Sequence, residues 1–153
     1  VQAEWAEFDL DKALWTIPAR RMKARREHVV PLPTQAVELL KAMHPITGHT
    51  KFVFPNRDDR QRPMADAALR QALKKLGWAT KYSPHGTRTT GSTRLNEMGY
   101  RPDAIEAQLA HAEPNSVRRT YNHATYLDER RVMMQDWADK LDGWKTHARK
   151  DAN

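Results

Sequence analysis

The sequence predicts an α+β fold, a mainly helical domain with a small antiparallel β-sheet near the N-terminus. Two observations support this prediction. Before Pro33, short β-prone pieces alternate with turn residues, and after it apolar residues recur at the three- and four-residue spacing of helices. The 153 residues suffice for one domain with a buried core. We therefore divide the chain into a domain over residues 1–144 and a polar C-terminal tail over residues 145–153, which is short of apolar anchors.

Three β-prone pieces form the predicted sheet, over residues 5–8, 13–17 and 28–32. Residues 9–12 are predicted to form the turn between the first two pieces. Residues 18–27, here named the basic linker, join the second piece to the third. A basic run on such a hairpin is either a solvated loop or a finger that contacts phosphates. The cations of the basic linker are Arg20, Arg21, Lys23, Arg25 and Arg26.

Hydroxyl residues and prolines mark the predicted starts of helices. Thr34 is expected to cap the first helix, and Ser83 followed by Pro84 predicts the start of the third. Pro102 and Pro114 each open a short helix, and a last helix is predicted over residues 127–141. Glycines stand beyond the ends of the first three helices, where a helix commonly terminates. These glycines are Gly48, Gly77 and Gly99.

Each predicted helix except the third has an apolar stripe that is expected to face the core. In the last helix this stripe contains two methionines, a tryptophan and a leucine. The stripe residues, in chain order, are Ala36, Leu39, Leu40 and Met43; Ala65, Ala68, Leu69, Ala72, Leu73 and Leu76; Ile105 and Leu109; Val117 and Tyr121; and Met133, Met134, Trp137 and Leu141.

The composition excludes several classes of function. The chain has 26 Lys and Arg against 19 Asp and Glu, a net charge of +7 with His neutral, and a pI near 9.9, which favours a polyanionic partner such as nucleic acid. It has no Cys, so a disulfide framework, a thiolate zinc site and a cysteine nucleophile are excluded. No apolar run exceeds three residues, so the sequence contains neither a membrane span nor a signal-peptide core.

The third predicted helix opens with the sequence H-G-T-R, which places His85 and Arg88 on one face. The free backbone amides of a helix N-terminus favour an anion, and the planar fork of Arg binds two phosphate oxygens. This pair is therefore a candidate phosphate site. The alternative is an ordinary surface His and Arg, because H-x-x-R occurs by chance in many chains.

A second candidate group begins at His111, which ends the sequence L-A-H, and Tyr121 follows ten residues later. Tyr121 is a candidate nucleophile. A Tyr four residues after Val117 on a short helix is, however, more often a partly buried core residue than a nucleophile. Tyr126, five residues further on, is a rival for the same role. Between the His and the first Tyr lie two more cations, Arg118 and Arg119.

In this order and spacing, these pieces resemble the catalytic domain of tyrosine recombinases, specifically phage and prophage integrases. The matching stretches cover nearly the whole chain: Lys23 before E-H-V-V-P-L, then S-P-H-G-T-R, L-A-H and R-R-T-Y-N-H. In that family the nucleophile follows the second His by about nine or ten residues, so Tyr121 is preferred to Tyr126. The resemblance implies that the catalytic residues are Lys23, His85, Arg88, His111 and Tyr121.

The resemblance also implies a reaction, in which Tyr attacks a DNA phosphodiester and forms a 3′-phosphotyrosyl intermediate. The expected function is site-specific DNA recombination during prophage integration and excision, without a metal or nucleotide cofactor. The expected partners are double-stranded DNA attachment sites and other integrase protomers in a tetramer, in the bacterial cytoplasm. The residues expected to contact DNA are Arg20, Arg21, Arg25, Arg26, Arg118 and Arg119.

One part of the family pattern has no match. The family uses a further Arg, from an A-R-x-G-E-like segment before the first strand, whereas no basic residue precedes Lys12 in this sequence. The resemblance therefore implies that the chain is a fragment of a longer integrase. We expect it to lack the first catalytic Arg and the N-terminal DNA-clamping domain, and to be nearly inactive by itself.

Three alternative functions fit some of these observations. A non-catalytic basic DNA-binding module explains the charge equally well and does not require the His, Arg and Tyr residues to converge. A metal site from His85, His111 and His123 is the second, but the sequence has no Cys, and neither H-E-x-x-H nor a close carboxylate pair accompanies these residues. A helical interaction protein, whose last helix binds a partner, is the third.

Overall fold

A computed structural model describes residues 1–110 and 126–150 of the chain. Within these ranges it contains three short strands and five α-helices, with the sheet near the N-terminus, and the predicted α+β class is confirmed. The helix predicted after Pro114 lies outside the described residues. The elements are β1 (Phe8–Asp9), β2 (Leu14–Ile17), β3 (His28–Pro31), α1 (Thr34–Thr47), α2 (Ala67–Lys75), α3 (Pro84–Glu97), α4 (Pro102–Gln108) and α5 (Leu127–Lys150).

The three strands form an antiparallel sheet in the order β1-β2-β3. The β2–β3 register runs from Leu14 opposite Pro31 to Ile17 opposite His28, so the basic linker begins and ends at the same end of the β2–β3 hairpin. The turn between β1 and β2 is closed by Asp9, whose Oδ1 accepts a hydrogen bond from the Lys12 backbone N–H at 2.9 Å. The predicted hairpins therefore form as expected.

The first strand is shorter than predicted, because Trp5–Glu7 forms a 3-10 turn. The Glu7 carboxylate stabilises this turn by accepting hydrogen bonds from the Glu4 backbone N–H at 3.3 Å and from Trp15 Nε1 at 3.0 Å. Phe8, the first residue of β1, stacks on Trp15 with ring centroids 5.3 Å apart. Side-chain bonds from neighbouring elements thus override the β-propensity of these residues.

Helix α1 differs from its prediction in two details. Thr34 is the first residue of the helix and not its cap, because its hydroxyl bonds Gln135 Oε1 on α5 at 3.1 Å. Leu39, predicted to face the core, is 69% exposed. The covered side of α1 follows a narrow stripe at steps of three and four residues, and Leu39 lies outside it. That stripe contains Ala36, Leu40, Met43 and Thr47.

The main core lies where α3, α4 and α5 meet, and α5 also packs against β3. Its buried centre contains Leu95, Ile105 and Met133, one from each of these helices. Helix α3 begins as predicted, because Ser83 Oγ accepts a hydrogen bond from the Gly86 backbone N–H at 3.1 Å. The partly buried residues around this centre are Tyr100, Leu109, Met134 and Trp137.

Helix α2 is less covered than its amphipathic pattern predicts. It begins at Ala67, after the first residue of the predicted stripe, Ala65. Leu69 is 46% exposed and Leu76 is 71% exposed within the described part of the chain. An apolar stripe indicates which face a helix offers for burial, but a neighbouring element must cover that face.

Helix α5 extends to Lys150, beyond residue 141 where the apolar stripe predicts its end. Trp144 packs edge-on against Trp137 with centroids 5.7 Å apart, and Arg94 of α3 lies 5.7 Å above the Trp144 ring. These contacts stabilise α5 beyond the residues that pack in the main core. Each further turn then requires little free energy, because helix propagation is favourable. Residues 145–150 of the predicted tail are therefore helical. None of the helices in the described ranges has the length and apolar character needed to cross a membrane.

Candidate active site

Arg88 connects two of the segments that the sequence singles out. It lies in the second turn of α3, half-buried, and its Nη2 donates a hydrogen bond to the carbonyl oxygen of Leu109, which directly follows α4. His85 is exposed in the first turn of the same helix. The H-G-T-R sequence and the start of the L-A-H sequence are therefore in direct contact, although 21 positions separate the bonded residues.

The C-terminal end of α4 is held by side chains from other elements. The last carbonyl groups of a helix have no partner within the helix and need one from elsewhere. The carbonyl oxygen of Leu109 is bonded by Arg88, and the carbonyl oxygen of Gln108 lies 3.2 Å from His28 Nε2, at the start of β3. Because a carbonyl oxygen only accepts, Nε2 of His28 carries the proton in this bond.

His28 lies in a cationic environment. Burial lowers the pKa of His28 below its ordinary value of 6.5, and the charges of Arg130 and Arg88 lower it further, while the bond to Gln108 opposes them. Each of the two cations disfavours a second positive charge on the imidazole. His28 is therefore neutral near pH 7 and acts as a hydrogen-bond donor.

Arg130 is a buried cation on α5, only 2% exposed. Its Nε donates to Gln108 Oε1 at 2.9 Å, and its Nη2 donates to the Val29 carbonyl oxygen at 2.7 Å. Burial lowers the pKa of Arg130 to about 10, so the guanidinium keeps its charge at neutral pH. One side chain thus connects α5, the end of α4 and β3.

Sequence reasoning did not identify His28, Gln108 or Arg130. The sequence does contain a signal for Arg130, which lies three residues before Met133, four before Met134 and seven before Trp137. These steps place it on the apolar stripe of α5, where a charged residue is unusual.

Lys23 is exposed on the basic linker. The first part of the linker surrounds an open concavity, so Lys23 shares a basic recess with two arginines. The residues that line this recess are Ala19, Arg20, Met22, Lys23 and Arg25.

The arginines of the basic linker differ in their contacts. Arg20 is exposed and lies 3.4 Å from the Glu4 carboxylate, and Arg25 and Arg26 are exposed. The side chain of Arg21 is only 17% exposed, and its guanidinium forms an ion pair with Glu7. Arg21 therefore has an internal partner and Arg20 an exposed one, whereas Arg25 and Arg26 present their charge to solvent.

Several predicted site residues lie outside the described residues: His111, Arg118, Arg119, Tyr121 and His123. Tyr126, the rival nucleophile, is described and precedes α5, and the Arg101 guanidinium lies 5.1 Å from the centre of its ring. Within residues 1–110 and 126–150 no group of three His, Asp or Glu side chains is placed to hold a metal ion.

Residues 1–128 match the phage integrase family. The chain belongs to this family. The resemblance to phage and prophage integrases that the motifs indicate is thereby confirmed, and so is the assignment of the chain to the catalytic domain of that family.

Relatives within the phage integrase family are similar along most of the chain. Prophage integrase IntZ of Escherichia coli (strain K12) is 50% identical over 90% of this chain, and prophage integrase IntA of the same organism is 46% identical over 90%. The integrase of Shigella phage Sf6 is 46% identical over 91%. The matched regions make up 34%, 33% and 36% of these relatives, so the chain spans about a third of their length. No solved structure matches the chain.

Proposed function

We propose that this chain is the catalytic domain of a tyrosine recombinase that performs site-specific DNA recombination in prophage integration and excision. Membership of the phage integrase family and relatives named integrases support the proposal. The observation that carries it is the hydrogen bond from Arg88 to the Leu109 carbonyl oxygen. It joins the two sequence segments that, by resemblance to the family, supply Arg88 and His111 to the phosphate.

The proposed nucleophile is Tyr121. Its oxygen attacks the phosphorus of a DNA phosphodiester, the bond from phosphorus to the 5′ oxygen breaks, and a 3′-phosphotyrosyl bond forms. A 5′-hydroxyl of another strand later reverses the step. Because the covalent bond conserves the energy of the phosphodiester, no nucleotide cofactor is required. A Tyr with a pKa of about 10 is ionised only to about 10⁻³ at pH 7, so a proton acceptor and nearby cations must assist the attack.

The other predicted residues have complementary roles in this proposal. Arg88, with a second Arg, neutralises the non-bridging oxygens as their charge grows in the transition state, and His111 donates a hydrogen bond there. Lys23 donates a proton to the departing 5′ oxygen, a role that suits an exposed ammonium on a linker. His85 accepts the proton of Tyr121.

The proposed substrate is a double-stranded DNA attachment site, bound by several integrase protomers in a tetramer in the bacterial cytoplasm. The first Arg of the family has no match in this sequence, and the chain spans about a third of its relatives. Loss of one charge clamp in phosphoryl transfer costs a factor of roughly 10² to 10⁵ in rate. We therefore propose that the chain alone cleaves DNA slowly and that the full-length protein is the active form.

The experiment is to trap the covalent adduct. Full-length protein is incubated with a nicked duplex that carries the attachment core, and the phosphotyrosyl adduct is resolved on a denaturing gel. Tyr121→Phe should abolish the adduct, and the matched variant Tyr126→Phe should retain it. An adduct that survives Tyr121→Phe would move the nucleophile to Tyr126.

A non-catalytic DNA-binding module is the second candidate, and the exposed cations of the basic linker favour it. The same experiment distinguishes the two candidates. Salt-sensitive binding of the duplex by wild-type protein, with no adduct under any condition, would favour the binding module.

A further inference from the structure

The buried guanidinium of Arg130 meets the two segments that lead to the proposed catalytic residues. Its Nη2 bonds the carbonyl oxygen of Val29 in β3, the strand that follows the basic linker and Lys23. Its Nε bonds the side chain of Gln108, three positions before His111 in the sequence. Arg130 itself lies nine positions after Tyr121.

Gln108 is held on two sides. Its side-chain oxygen accepts from Arg130 at 2.9 Å, and its backbone oxygen lies 3.2 Å from His28 Nε2. The next carbonyl, that of Leu109, accepts from Arg88. The end of α4 is therefore fixed from α5, β3 and α3, and Arg88 is bonded to the residue that directly follows Gln108.

An arginine at this position needs a specific explanation. The neighbouring positions of the stripe, Met133 and Met134, show that an unbranched apolar side chain fits this face of α5. Burial of a cation is costly unless its donors are bonded, and replacing a buried charge with a well-packed apolar residue is often neutral or stabilising. The planar guanidinium differs from methionine in its directed donors, which here reach Gln108 and Val29 at once.

We propose that Arg130 is a positioning residue for DNA cleavage, which acts by holding Gln108 and β3 so that Arg88 and the basic linker are correctly placed around the scissile phosphate. This inference rests on the proposed function. Arg130 is not assigned a contact with DNA. Because a misplacement of about 1 Å costs a factor of up to about 10² in rate, loss of this residue should slow the chemical step.

The test uses full-length protein and the nicked duplex in single-turnover cleavage. Arg130→Met removes the directed donors and keeps an unbranched apolar side chain. The matched control is Arg131→Met, which removes the same charge at the adjacent, exposed position. Among the described residues, Arg131 donates a hydrogen bond to the Lys12 carbonyl oxygen at 3.2 Å. Three quantities are measured: the cleavage rate constant, the amplitude of cleavage and the Kd for the duplex.

We expect Arg130→Met to lower the rate constant by a factor of about 10 to 100, with a Kd within about threefold of that of Arg131→Met. Arg131→Met should cleave at the wild-type rate. Unfolding that exchanges faster than cleavage lowers the apparent rate constant in proportion to the folded fraction, so that fraction is measured for each variant by circular dichroism and the rate constant is corrected for it. A rate constant that remains lowered after this correction therefore distinguishes positioning from a purely structural role.

A second variant covers the case in which Arg130→Met does not fold. Gln108→Ala removes one acceptor of the guanidinium and leaves Arg130 in place, and it should lower the rate constant about tenfold. The positioning role is overturned if Arg130→Met cleaves as fast as Arg131→Met. It is also overturned if Arg130→Met fails to fold and Gln108→Ala cleaves at the wild-type rate. Failure of the wild-type protein to cleave would instead reject the proposed function, and the positioning role with it.

Discussion

The guanidinium of Arg88 in α3 is bonded to the carbonyl oxygen of Leu109, the residue that directly follows α4. This bond satisfies a helix-terminal carbonyl, and it also restricts the orientation of a side chain that we propose to bind phosphate. Charged hydrogen bonds of this kind are stronger than neutral ones, so the arginine is held before DNA arrives. The arrangement is one of preorganisation, in which little rearrangement is needed at the moment of reaction.

Replacing Arg88 should therefore reduce cleavage severely. We expect Arg88→Ala to lower the single-turnover rate constant by a factor of about 10² to 10³, as for other groups that stabilise charge in a transition state. The control is Arg94→Ala on the same helix, where the exposed side chain pairs with Glu97 at 2.7 Å. Equal cleavage rates in the two variants would contradict the proposed role.

Lys23 can be tested through the leaving group. We expect Lys23→Ala to slow cleavage of an ordinary duplex by a factor of about 10² to 10⁴, because the 5′ oxygen then departs without a proton. A duplex with sulfur in place of that 5′ oxygen should restore the rate, since a thiol has a pKa of only about 8.5 and leaves as a thiolate. If the sulfur substrate gives no recovery, Lys23 is not the proton donor.

The exposed arginines of the basic linker should contribute to the salt dependence of DNA binding. Each phosphate contact contributes about 0.9 to the slope of log K against log salt concentration. We expect Arg26→Ala to reduce the magnitude of that slope by about 0.9, the contribution of one phosphate contact. Arg62→Ala, in which the replaced side chain pairs with Asp59 at 3.2 Å, is the control. A flat salt titration of the wild-type protein would exclude phosphate-dominated binding.

Stability should fall on acidification because of His28. Burial and the adjacent arginines hold the pKa of His28 in the folded state below 6.5, so the unfolded chain binds more protons in this range. The stability that the neutral imidazole contributes is present above about pH 6.5 and is lost as the pH falls below that value. Urea unfolding at about pH 7.5 and about pH 5.5 measures this effect. His28→Gln should reduce the difference in unfolding free energy between the two pH values.

The core formed by α3, α4 and α5 should be sensitive to truncation at Met133, which is fully buried. We expect Met133→Ala to lower the free energy of unfolding by about 2 to 5 kcal/mol, the usual range for a buried large-to-small change. The adjacent Val132 is 59% exposed, and Val132→Ala should change stability by no more than about 0.5 kcal/mol. A cost below about 1 kcal/mol at Met133 would contradict this description of the core.

Local sequence signals were sufficient to predict the ends of a helix where a single residue determines the backbone conformation. Ser83 and Pro84 begin α3 as predicted, and Gly99 beyond its end has a φ of +84°, which glycine adopts without strain. Positions that depend on distant neighbours were predicted less well. Leu39 matches the helical period and is exposed, because periodicity does not show which part of an apolar stripe another element covers.

In the candidate site, too, residues with a local sequence signal were predicted and residues that depend on distant partners were not. The sequence singled out Arg88 as a candidate because H-x-x-R at a helix start, followed in order by L-A-H and R-R-T-Y-N-H, resembles the integrase pattern. It did not identify His28 and Arg130, whose partners Gln108 and Val29 are distant in sequence. Their roles depend on how β3, α4 and α5 are packed together, which no local pattern contains.

The pairing of Ile17 with His28 closes the basic linker at its base. Because closure entropy depends only weakly on loop length, removing two residues from this segment, outside Ala19–Arg21 and its ion pairs, would change the entropic cost of closure by only a few tenths of a kcal/mol. Because both ends of the linker are anchored, each residue removed shortens its reach by about half of the 3.5 Å span of one extended residue. Reach, and not closure entropy, would therefore set the shortest basic linker with which Lys23 can fill the role proposed for it.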